Sequence, residues 1–163
     1  MAGIRLNLKG FEKMLEEIER AGGDIESSTE EAIRKSAACV EDELQKACAQ
    51  SNVPESVSRG IRTDIMWSGN RCMAQVGWEL GSYNPHNIGT GYKAIFLNYG
   101  TPKRSVREEG VRVILGDTWV TEGKNRGAIA PRNFIQTAKE ASGKQVKKIQ
   151  QETLKEILKE LGE

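Results

Sequence analysis

The chain has 163 residues, about one domain's worth, since single cores run to roughly 100–200 residues. Lysine and arginine number 24 against 23 aspartates and glutamates, for a net charge of +1, which argues against a dedicated nucleic-acid clamp with its usual basic excess. No stretch approaches the ~20 apolar residues of a membrane span, and residues 1–10 lack the apolar run of a signal peptide.

The N-terminal third reads as helical. Phe11, Met14, Leu15 and Ile18 share one helix face, and Gly22-Gly23 stops that helix. Asp24, or Ser27 and Ser28, can cap a second helix from about Glu26 to Ala49, whose apolar seam is Ile33, Ala37, Val40, Leu44 and Ala47/Cys48. Most seam residues are small, so a partner element can approach closely. The helix ends at Asn52-Val53-Pro54, because the residue before proline avoids the α region.

The period then changes from 3.6 to 2. Ile61, Thr63, Ile65 and Trp67 alternate with Arg62, Asp64 and Met66. After Ser68-Gly69-Asn70, the residues Cys72, Ala74, Val76 and Trp78 alternate with Met73, Gln75 and Gly77. This pattern predicts an antiparallel hairpin with one buried face, with Trp67 and Trp78 both in the core. A Gly/Asn/Pro-rich loop over 81–91 leads to a short apolar piece, 92–101. Val111, Val113 and Leu115, followed by Gly116-Asp117 and Trp119-Val120, form a second, weaker hairpin candidate inside a polar stretch over 102–128. Pro131-Arg132-Asn133 opens a long C-terminal helix, with Asn133 as its expected N-cap. Its seam starts at Phe134, Ile135 and Ala138 and runs on through Val146, Ile149, Thr153, Leu154, Ile157, Leu158 and Leu161, and Gly143 weakens its interior. The expected fold class is α+β: two N-terminal helices, a small antiparallel sheet and a long C-terminal helix, in one domain carrying a polar insertion.

The chemical motifs are few. The glycine-rich phosphate cradles and the Gly-x-Ser-x-Gly nucleophile elbow are missing. Cys39, Cys48 and Cys72 include no Cys-x-x-Cys pair, and His86 is the sole histidine, in a turn-like stretch. Cys39 and Cys48 lie nine residues apart on one helix, some ~13 Å along its axis, too far for a disulfide. Adjacent carboxylates such as Glu16-Glu17 and Glu108-Glu109 point in different directions and make no acid–base dyad. No catalytic residue, metal or cofactor is therefore expected.

Charge is unevenly spread. Residues 93–132 hold eight Lys/Arg and four Asp/Glu, whereas residues 1–31 hold four Lys/Arg and eight Asp/Glu. The cluster Lys103, Arg104, Arg107 and Arg112 can meet phosphate or an acidic surface on another copy of the chain. Trp119 is open between local packing and an interface anchor, a role in which tryptophan is enriched.

Two segments carry a resemblance. Tyr92-x-Ala94-x-Phe96-x-Asn98-Tyr99-Gly100-Thr101 resembles a Tyr-Ala-x-x-x-Glu-Tyr-Gly-Thr signature, and 130–138, Ala-Pro-Arg-Asn-Phe-Ile-Gln-Thr-Ala, resembles Pro-x-Arg-Pro-Phe-Leu-x-Pro-Ala. Both signatures belong to the minor tail-component family of long-tailed bacteriophages and prophages, which includes head–tail joining and tail-completion proteins. Asn98 stands where that family has Glu, and Asn133 where it has Pro. The resemblance implies a non-enzymatic virion assembly protein at the head–tail junction or tail terminus, assembled in the bacterial cytoplasm. It also implies a homo-oligomeric ring and binding to connector or tail-tube proteins, with no membrane. Tyr99, Gly100 and Thr101 would then form a structural turn, with Tyr99 and Phe96 pinning it to the core. Lys103, Arg104, Arg107, Arg112 and Trp119 would be the interface residues. The alternative is a nucleic-acid-binding accessory protein using the basic 103–132 stretch, whose DNA affinity would fall steeply with salt.

Overall fold

The computed structural model describes residues 1–81, 88–101 and 128–162, and the backbone of 83–84, 87, 113–115 and 118–120. The expected α+β class is what it shows. In chain order the elements are β1 (Ala2–Asn7), α1 (Glu12–Arg20), α2 (Ile25–Gln50), α3 (Glu55–Ser58), β2 (Arg62–Ser68), β3 (Arg71–Trp78), β4 (Tyr83–Asn84), β5 (Asn87–Ile88), α4 (Thr90–Tyr99), β6 (Val113–Leu115), β7 (Thr118–Val120) and α5 (Phe134–Gly162).

The principal sheet has the order β1-β3-β2, antiparallel throughout. The predicted antiparallel hairpin is present, and its register sets Ser68 opposite Arg71 across Gly69-Asn70 and Trp67 opposite Cys72. β1 is an addition to the sequence reading, which left residues 2–7 without a strand. Its alternation of Ile4 and Leu6 with Arg5 and Asn7 is short, and its partner β3 lies some seventy residues away, so only tertiary pairing reveals it. Gly3 faces Gly77 across this pair. A Cβ on Gly77 would fall 2.0 Å from the Ala2 carbonyl oxygen, so the strands close here only because side chains are missing on both.

One face of the sheet lies on α2, and α5 runs along α2. The predicted α2 seam is buried in full: Ile33, Ala37, Val40, Leu44, Ala47 and Cys48 pack with Ile4, Ala74, Val76 and Trp78 from the sheet and Phe134, Ala138 and Val146 from α5. Two buried hydroxyls at this helix pair find acceptors four residues back, Ser36 on the Ala32 carbonyl (2.7 Å) and Ser142 on the Ala138 carbonyl (2.8 Å), so these small residues can sit between the helices with their polar groups satisfied. A second cluster joins Ile18 of α1, Ala32 of α2 and Leu154 of α5. α5 continues unbroken through Gly143.

Helix ends follow side-chain chemistry. Asp24 is the N-cap of α2, its Oδ1 accepting from the Glu26 N–H at 3.0 Å. At the other end Asn52 takes φ +50°, the Val53 N–H donates to the Cys48 carbonyl (2.9 Å) and the Asn52 N–H to that of Ala49 (3.1 Å), which is a Schellman closure before Pro54.

Trp78 is fully buried, donates its indole N–H to the Val57 carbonyl (2.7 Å) and stands edge-on to Phe134 with centroids 5.8 Å apart. Trp67 corrects the sequence reading: it is 39% exposed. It occupies the last inward position of the edge strand β2 beside the turn, with no further strand to flank it among the described residues, and its indole N–H reaches the Glu30 carboxylate of α2 at 3.4 Å.

Candidate assembly surface

Within the short apolar piece 92–101, residues 92–99 are helical and form most of α4. Its last turn meets the start of α5, and the two motif segments interlock there. The Arg132 N–H donates to the Leu97 and Asn98 carbonyls (3.1 and 3.2 Å), and the Asn133 N–H donates to the Asn98 carbonyl (3.1 Å). Thr101 and Ile129 form an antiparallel bridge, with the Thr101 N–H on the Ile129 carbonyl at 3.0 Å and the Ile129 N–H on the Thr101 hydroxyl at 3.3 Å. Gly100 sits at φ +75°, and a Cβ there would lie 2.5 Å from the Ile129 oxygen. The expected structural turn at Gly100 and Thr101 is therefore a clasp that holds the two ends of the 102–128 insertion together.

Asn98 is the centre of this clasp. It is 2% exposed, and its Oδ1 accepts from the buried Ile135 N–H at 2.9 Å. That places a capping oxygen at the second residue of α5, a role the sequence reading gave to Asn133. Asn133 instead takes φ +51°, outside the extended conformation in which an N-cap side chain serves its own helix, while its carbonyl accepts the first intrahelical bond from Thr137 (3.0 Å). α5 is thus capped from α4. A lone asparagine within an apolar helical run is the signal that could have found it.

Arg132 is half-buried, and its guanidinium donates to the carbonyls of Ser51 and Asn52 at 3.2 and 2.5 Å. It joins the C-terminal end of α2 to the entrance of α5, where its charge also complements the helix dipole. One cation counted in the basic 93–132 stretch is therefore committed inside the fold. Tyr99 is a second correction: it is 67% exposed, pointing away from the core it was expected to pin, because the next buried position of α4 is taken by Asn98. Phe96 is half-buried.

Lys103, Arg104, Arg107 and Arg112 lie outside the described residues, as does His86. Trp119 belongs to β7, which pairs antiparallel with β6 in the register Ile114↔Trp119, so the second hairpin candidate has the backbone pairing its alternation predicted. Its side chain is outside the described residues.

The acidic N-terminal region is partly neutralised locally. Glu16 pairs with Arg20 (3.7 Å), Glu30 with Arg34 (2.6 Å), and Glu31 with Lys35 (3.0 Å), which also reaches Glu156 (3.6 Å). The Arg34 guanidinium and then the Trp67 indole hold the Glu30 carboxyl below its usual range. Glu12, Glu17 and Glu19 are exposed on α1.

Among the described residues no group of His, Cys, Asp and Glu is gathered for a metal ion. All three cysteines are free thiols. Burial pushes the Cys48 thiol up to about 11 and raises those of Cys39 and Cys72, the opposite of an activated nucleophile. A groove of about 380 Å³ between α2 and α5 is lined by Cys39, Asp42, Glu43, Lys46, Gln145 and Lys148 among others, with no nucleophile–base pair. No helix among the described residues is long and apolar enough to cross a membrane. No protein-family model, curated protein or solved structure matches the chain.

Proposed function

We propose that the chain is a non-enzymatic structural subunit of a phage or prophage virion, at the head–tail junction or tail terminus. It would act by ring-type oligomerisation and by binding connector or tail-tube proteins, after assembly in the bacterial cytoplasm. The observation that carries this reading is the clasp at Asn98–Thr101 and Ile129–Ile135: the two segments resembling the tail-component motifs interlock, and they hold both ends of the 102–128 insertion at one fixed base. An insertion whose two ends are fixed to the scaffold suits presentation to a neighbour, because the scaffold sets where it leaves the fold. In this reading Lys103, Arg104, Arg107, Arg112 and Trp119 meet the partner.

The test is co-expression with connector and tail-tube proteins of a long-tailed phage, followed by mass photometry and negative-stain imaging. Rings, or a stable complex lost on charge reversal at Arg104 and Arg107, are the expected result. A strict monomer that ignores those proteins refutes the proposal. So does tight DNA binding that weakens steeply with salt in place of any protein complex.

A further inference from the structure

The principal sheet ends in two strands, β1 on one side and β2 on the other, and among the described strands neither has a second neighbour. Both run antiparallel to β3, so they are parallel to each other. Repetition of the subunit about a rotation axis would bring β2 of one copy beside β1 of the next in the same direction, a heterologous contact of the kind that closes rings.

The residues on these edges match in that arrangement. Arg5, Gln75 and Asp64 form one cross-strand row on the outer face, with Arg5 and Asp64 at its ends. Both are exposed, and among the described residues neither has an ion pair. If the row continues into the next copy, Asp64 meets Arg5. On the inner face, Leu6, Ala74 and Ile65 form the adjacent row, with half-buried Leu6 and Ile65 at its ends, so continuation places Ile65 against Leu6. The pairing stretch of β1 is Ala2 to Leu6, since the Asn7 carbonyl already accepts from Gln150 (3.2 Å). Charged side chains guard an edge against indiscriminate pairing, but opposite charges set against each other across a strand pair attract. These two carry opposite charges above an apolar row.

We propose that the interface between copies is edge-to-edge pairing of β2 with the β1 of a second copy, in the register that joins Asp64 to Arg5. This rests on the self-assembly part of the function proposed above and names the surface that performs it.

Sedimentation of the full chain at low salt over a range of concentrations, alone and with connector and tail-tube proteins, tests it. Arg5→Asp and Asp64→Arg should each weaken self-association by roughly tenfold, and the double exchange should restore it, because the pair is reversed and not removed. Unchanged melting curves for all three variants separate this from misfolding. Oligomers that persist unaltered in both single variants, or a double variant as weak as the singles, overturn the edge pairing and leave the assembly function standing. A chain that stays monomeric in every mixture overturns both.

Discussion

Replacing Asn98 by alanine removes the oxygen that caps α5 and leaves the Ile135 N–H buried with no acceptor. Loss of an N-cap costs about 1 kcal/mol, and an orphaned buried donor about 1–3 kcal/mol. These describe the same hydrogen bond from two sides, so they overlap, and the expected loss is about 2 kcal/mol. For a chain of this size that corresponds to a melting temperature lower by roughly 4–8 °C. The backbone bonds from Arg132 and Asn133 to the Asn98 carbonyl survive the substitution, so the clasp should loosen rather than open. Urea unfolding followed by circular dichroism measures the change. Asn98→Asp keeps an acceptor and adds a negative charge at the positive end of a 29-residue helix, so it should retain more stability than alanine. Gln136→Ala, which loses only an exposed bond to Glu140, is the control and should stay within about 0.5 kcal/mol of the parent. If Asn98→Ala unfolds with the control, the capping argument is wrong.

Further outcomes follow from the same packing. Gly100→Ala combines a positive φ with a Cβ 2.5 Å from the Ile129 oxygen, so it should cost on the order of 2–3 kcal/mol and expose the base of the insertion to limited proteolysis. Trp78→Ala should cost about 3–5 kcal/mol, whereas Trp67→Ala should cost less than about 1 kcal/mol; denaturant midpoints for the two variants will test that separation. Stability should fall as pH rises above about 9. The unfolded Cys48 thiol ionises there while the folded one, with its pKa raised to about 11, keeps its proton, so proton release favours the unfolded chain by up to about 3 kcal/mol at high pH. Cys48→Ala should flatten this alkaline limb, and a limb left unchanged would refute the assignment.

Much of the fold was legible from period and punctuation. The seam from Ile33 to Cys48 is buried as read, because a helix with small residues every three or four positions has one face that water leaves. The hairpin stands in register because Gly69-Asn70 separates two alternating runs. The first strand, by contrast, is too short to declare itself without β3, and α4 was obscured because its apolar residues follow no single face strongly. Trp67 was misplaced because an alternating pattern says which side a residue faces but not how well an edge position is covered, and Tyr99 because its residue type does not reveal that Asn98 takes the buried position of the last α4 turn.

The same division runs through the candidate site. The sequence alone determined the residues of 92–101 and 130–138 and the excess of basic residues between them, since residue identity and spacing are local properties of the chain. Only the tertiary structure decided what those residues do. Asn98 caps a helix that begins 36 residues later, and Arg132 closes one that ended some eighty residues earlier. Hydrogen bonds across such separations depend on how α2, α4 and α5 pack, and no local preference of the chain encodes them.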